Sequence, residues 1–137
     1  MHRRTSALLR LLATVALFAA SLGTAWAHAA LTKSSPGNRE VLAKSPANIH
    51  LQFNEKVEAK FSTVSIEDAK GQKLALPAPT ASPDDAYGLD VAVPAILADG
   101  RYTVKYRVLS QDGHVIERSF AFTLKTATSE SAAPTTP

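Results

Sequence analysis

The sequence predicts an all-β domain, an antiparallel β-sandwich or barrel of about seven short strands with Greek-key connections, preceded by a cleavable signal helix. Three observations lead there. Apolar residues recur with a period of two, turn residues interrupt them at short intervals, and no stretch of the body sustains a helical apolar stripe.

The strands follow from the alternation. Ile49, Leu51 and Phe53 alternate with His50, Gln52 and Asn54, and Val64 and Ile66 alternate with Thr63, Ser65 and Glu67. Leu89, Val91 and Val93 come next, then Tyr102, Val104, Tyr106 and Val108, then Phe120, Phe122 and Leu124. One face of each segment is apolar, so the strands share a core. Tyr102 and Tyr106 lie on that face and read as core, whereas His50 points the other way, as a surface residue. Pro36-Gly37-Asn38, Ser45-Pro46, Lys70-Gly71, Asp99-Gly100 and Asp112-Gly113 supply turns, and Pro77, Pro79 and Ser82-Pro83-Asp84-Asp85 mark one long loop.

The two ends differ from this body. Residues 1–27 carry His2, Arg3 and Arg4, an apolar run from Leu11 to Ala20, and the close Ala25-Trp26-Ala27, which is the pattern of a secretory signal. The apolar run is shorter than the roughly 20 residues a membrane span needs. Cleavage after Ala27 is expected, and it would give His28 a free α-amino group. Residues 126–137, TATSESAAPTTP, have no apolar period and read as a disordered tail, leaving one β-domain over 28–125.

Cleavage would also change the charge. The net +3 of the 137-residue chain comes from Arg3, Arg4 and Arg10, so the chain from His28 onward is neutral. A nucleic-acid partner is therefore not expected, since phosphate binding needs clustered cations. Met1 is the one Met and there is no Cys, so no disulfide, thiol nucleophile or sulfur-based Cu(I) site is available after cleavage. No Gly-rich phosphate loop or nucleophile elbow is present either.

Ser110-Gln111-Asp112-Gly113-His114 is the segment with chemical content. It lies between two alternating runs, so Asp112-Gly113 predicts a tight hairpin turn, with Asp112 and His114 close together at the end of the sandwich. Taken singly, Asp112 is a turn former, His114 a solvated side chain and Glu55 an edge charge. An amino-terminal His28 changes that balance. It offers a metal two nitrogens that close a chelate ring, and its amine, with a reference pKa of about 7.7–8.0, loses a proton at little cost. With the nitrogen of His114 and the oxygen of Asp112, the set suits tetragonal Cu(II), and zinc uses the same residue types.

Two segments, HAALTKSSPGNREVLAKSPANIHLQFNEKVEAKFSTVSI (28–66) and PAILADGRYTVKYRVLSQDGHVIERSFAFTL (94–124), resemble the CopC family of periplasmic copper-binding proteins. The shared pattern is an amino-terminal His, Ser-x-Pro, Leu-x-Phe-x-Glu-x-Val, Gly-x-Tyr-x-Val-x-Tyr-Arg-Val-x-Ser, and Asp-Gly-His followed by Phe-x-Phe. The resemblance implies a seven-stranded Greek-key sandwich or barrel of immunoglobulin-like or cupredoxin-like form. It also implies Cu(II) ligands at His28, Asp112 and His114, with Glu55 beside the metal as a weak ligand or hydrogen-bonding neighbour. Family members that also bind Cu(I) carry a Met-rich loop, and residues 76–87 here have no Met. Val115 stands where Pro is common and Arg118 where Gly is common.

The expectation is thus a non-enzymatic periplasmic Cu(II)-binding protein for buffering, resistance or delivery. A CopD-like inner-membrane protein is an implied partner, and no stable membrane insertion is expected after cleavage. A metal-free immunoglobulin-like interaction module and a histidine-brace oxidative copper enzyme are the rival readings.

Overall fold

A computed structural model of the chain describes residues 29–126. Residues 1–28, and with them the expected signal helix and His28, lie outside the described residues, as do residues 127–137. In chain order the strands are β1 (Leu31–Ser35), β2 (Val41–Leu42), β3 (Asn48–Phe53), β4 (Thr63–Glu67), β5 (Lys73–Leu74), β6 (Thr80–Ala81), β7 (Gly88–Ala92), β8 (Gly100–Leu109) and β9 (Val115–Leu124). Helix is limited, among the described residues, to one 3-10 turn at Ala59–Phe61. None is long and apolar enough to cross a membrane.

The strands form two sheets, β1-β3-β7-β6 and β2-β9-β8-β4-β5. Ile49, Leu51 and Phe53 of β3 and Leu89 and Val91 of β7 turn inward from one sheet; Val64, Ile66, Tyr102, Val104, Tyr106, Val108, Phe120, Phe122 and Leu124 turn inward from the other. The period of two in the sequence is this division between faces. One ring pair joins the layers, Phe53 meeting Tyr106 edge to face at 5.8 Å, while within the second sheet Tyr102 stacks on its cross-strand partner Phe122 at 5.5 Å. The Tyr102 hydroxyl donates to the carbonyl of Ala98 at 2.7 Å, so its polar end is satisfied.

The all-β sandwich agrees with the sequence reading, while its edges hold more than the alternation indicates. Nine strands are present among the described residues, and three of them, β2, β5 and β6, have two residues each. Such pieces are too short to display a period. The long loop contains β6, which pairs with β7 through Thr80↔Asp90 and Ala81↔Leu89. Pro79 and Pro83, which lack an N–H, flank that pairing and keep it short. β2 runs parallel to β9, with Val41 opposite Thr123 and Leu42 opposite Leu124, so the second sheet is mixed.

One consequence of this topology positions the candidate site. β3 and the β8–β9 hairpin end at the same edge of the sandwich. The chain leaving β3 runs beside the hairpin turn, where Val57 bridges Ser110 and Glu58 N donates to Leu109 O at 2.8 Å.

Candidate metal centre

The site begins with a hairpin. The pairing of β8 with β9 ends at Leu109↔Val115. Beyond it Ser110 N donates to His114 O at 2.8 Å, and Gly113 N turns back to Ser110 O at 3.0 Å. Gly113 has φ +91°, in the left-handed region that side chains with a Cβ avoid. The connection is therefore a three-residue loop with glycine last, rather than a two-residue turn centred on Asp112-Gly113.

That geometry folds Asp112 back over its own turn. Asp112 Oδ1 accepts from the Ser110 hydroxyl and, at 3.2 Å, from the backbone N–H of His114. Its Oδ2 is left facing His114 Nδ1 at 3.1 Å. Two bonds of about 2 Å to one metal ion, at an angle of about 100°, hold nitrogen and oxygen about that far apart. The sequence reading of Asp112 and His114 as neighbours at the end of the sandwich matches this placement.

Glu55 sits on the adjoining segment, next to Lys56, whose carbonyl accepts from Gln111 N at 3.0 Å. Glu55 Oε1 is shut off from solvent and has no hydrogen-bond partner among the described residues. A carboxylate oxygen in that state is costly unless a cation lies opposite, which is how a metal-binding edge differs from a solvated one. Among the described residues no three His, Cys, Asp or Glu side chains converge on a point. Glu55, Asp112 and His114 therefore do not make a complete set by themselves.

Asn54 supplies the connection to the amino-terminal end. Ala30 N donates to Asn54 Oδ1 at 2.7 Å, and Asn54 N donates to Ala30 O at 3.0 Å. Ala29 is buried against the core. Ala29 and Ala30 thus lie at the edge that carries Glu55 and the 110–114 turn. Sequence reasoning does not single out Asn54 or Ser110. Both stand inside the CopC-like motifs, Asn54 next to Glu55 and Ser110 two positions before Asp112, and that proximity in the chain is the available signal.

The fold and these groups define a class: a small β-sandwich with nitrogen and oxygen donors gathered at one end, beside the entry of its first strand. The chain belongs to the CopC family, whose domain model matches residues 31–125. It is similar to CopC from Methylosinus trichosporium OB3b, with a TM-score of 0.68 and 35% identity over 73% of this chain and 96% of that one. It is 32% identical to copper resistance protein C of Xanthomonas campestris pv. juglandis, over 82% of this chain and 93% of that protein. It is 28% identical to copper transport protein CutJ of Bacillus subtilis (strain 168), over 74% of this chain but only 19% of CutJ.

Proposed function

We propose that this chain is an exported, periplasmic Cu(II)-binding protein that buffers copper or delivers it, and that it is not an enzyme. Copper is its cargo. One Cu(II) ion is held by the α-amine and imidazole of His28, by His114 and by Asp112, with Glu55 beside it.

The observation that carries the reading is the placement of Ala30. Asn54 ties it down next to Glu55, on the edge shared with Asp112 and His114. A residue two positions upstream of Ala30 has at most about 7 Å of chain with which to reach these groups. Ser110 fixes one oxygen of Asp112, and the other faces His114, the second residue we assign to the ion. The donors are nitrogen and oxygen, and Cu(II) outranks the other divalent first-row ions for such sets. The chain from His28 onward contains neither Met nor Cys, so we assign it no Cu(I) site.

The names of the relatives, copper resistance protein C and copper transport protein CutJ, support copper as the cargo. This chain matches a fifth of CutJ, so such a domain occurs within a longer protein named for copper transport; the partner we propose for this chain is a membrane protein of the CopD type.

The test compares protein that begins at His28 with protein carrying one additional residue before it. The additional residue turns the α-amine into an amide and removes one nitrogen. Cu(II) affinity is expected to fall by at least a hundredfold; equal tight binding by both forms would refute the site.

A further inference from the structure

On the outer face of the first sheet, away from the copper edge, His50 stands between two carboxylates. Its Nδ1 lies 2.7 Å from Asp90 Oδ1, on the strand paired with its own. A carboxylate only accepts, so this bond puts a proton on Nδ1, and deprotonation of the ring bares the lone pair of Nε2. Nε2 faces Asp85 Oδ2 at 3.3 Å. That oxygen is shut off from solvent and makes no hydrogen bond among the described residues. A lone pair directed at a sheltered carboxylate is repulsive, so either a proton on Nε2 or a metal cation in its place must relieve the contact.

The surroundings are built to keep this arrangement. Asp85 comes from the 82–87 connection, which folds back over the sheet through Gly88 N to Asp85 O at 3.0 Å. A Cβ on Gly88 would come within 2.7 Å of His50 Cε1 and 2.8 Å of Asp85 Oδ2, so glycine keeps the gap open. The depression holds three carboxylates, Asp84, Asp85 and Asp90, against one ammonium, Lys33.

We propose that His50 Nε2 and Asp85 Oδ2 form a second, open site for a divalent transition-metal cation. Metal bonds of about 2.0–2.1 Å separate nitrogen and oxygen by about 2.8 Å at a right angle and about 3.3 Å at the tetrahedral angle, which brackets the observed spacing. Water completes the coordination, because no third His, Cys, Asp or Glu converges there among the described residues. Asp90 holds the far side of the imidazole, the arrangement that orients a histidine toward a metal and raises its basicity. The site shares no residue with the copper edge.

The test uses the chain carrying His114→Ala, so that it does not depend on the copper reading. Zn2+ is titrated while the imidazole nitrogens are followed by NMR, and Cu2+ is then added as competitor. Zn2+ is expected to shift His50 Nε2, with Asp90 still on Nδ1, and Cu2+ to compete at the same ring. His50→Gln should abolish this binding, Asp90→Asn should weaken it by about 10–100-fold, and Gly88→Ala, which keeps both ligands, should weaken it at least tenfold. A His50 ring that titrates with protons but does not respond to Zn2+ is an ion pair and overturns the proposal. So does unchanged Zn2+ affinity in His50→Gln.

Discussion

Ser110, almost wholly buried at the end of β8, donates its hydroxyl to Oδ1 of Asp112, two residues along the same turn. The bond fixes which carboxylate oxygen is held by the protein and which faces His114. Ser110→Ala is expected to lower stability by about 1 kcal/mol, the net value of such a bond, and to weaken Cu(II) binding about tenfold. Denaturant unfolding and competition titration measure the two effects. Unchanged copper affinity in a folded variant would show that Asp112 needs no such fixing.

Gly113 sets the path of the same turn. At φ +91° an alanine is strained by about 1–2 kcal/mol, although a Cβ there would meet nothing within 4 Å. Gly113→Ala should therefore lose about that stability with no steric clash. Copper affinity should fall as the turn relaxes and His114 moves from Asp112. A variant of wild-type stability would contradict the left-handed assignment.

Glu55 gives opposite signs for the two states of the protein. Its sheltered oxygen lacks a donor among the described residues, so Glu55→Gln should leave the copper-free fold as stable or about 1 kcal/mol more stable. The copper-bound form should lose several-fold in affinity, because a compensating charge has been removed. Thermal unfolding with and without Cu(II) reads both. A destabilised copper-free variant would show that Glu55 serves the fold and not the ion.

Asp90 supplies an acid-stability prediction. Burial alone would raise its carboxyl; the hydrogen bonds of His50, Ser82 and Asn48, with the charge of His50, outweigh that and hold it below the ordinary value. A carboxyl depressed on folding stabilises the fold above its unfolded value of about 3.9. That contribution is lost as pH falls through the lower folded value. Asp90→Asn should flatten the decline of melting temperature below about pH 4 and lower stability at neutral pH. An acid limb identical to wild type would remove Asp90 from that role.

The long strands are legible in the sequence for a physical reason. Five or more residues show a period of two, and Ile49, Leu51 and Phe53 or Phe120, Phe122 and Leu124 need no partner to display it. β2, β5 and β6 exist only through their neighbours, and two residues carry no pattern. The Asp112–His114 pair is legible because one turn contains both. His50 reads as an ordinary surface residue because Asp90, its partner, lies 40 positions away in the chain. Asn54 reads as the polar member of an alternation, although its role is to grip Ala30.

That grip has a consequence for how active protein is made. The anchor at Ala30 gives whatever precedes it a set length of chain, so under the proposed site the accuracy of the signal-removing protease becomes part of the binding chemistry. A cut one residue early or late would leave every contact from Ala30 onward intact. The product would be folded, soluble and as heat-resistant as the correct form, yet unable to chelate copper. Loading capacity in the cell would then track the fidelity of processing rather than the amount of folded domain, a difference seen by mass spectrometry of the amino terminus and missed by any measurement of stability.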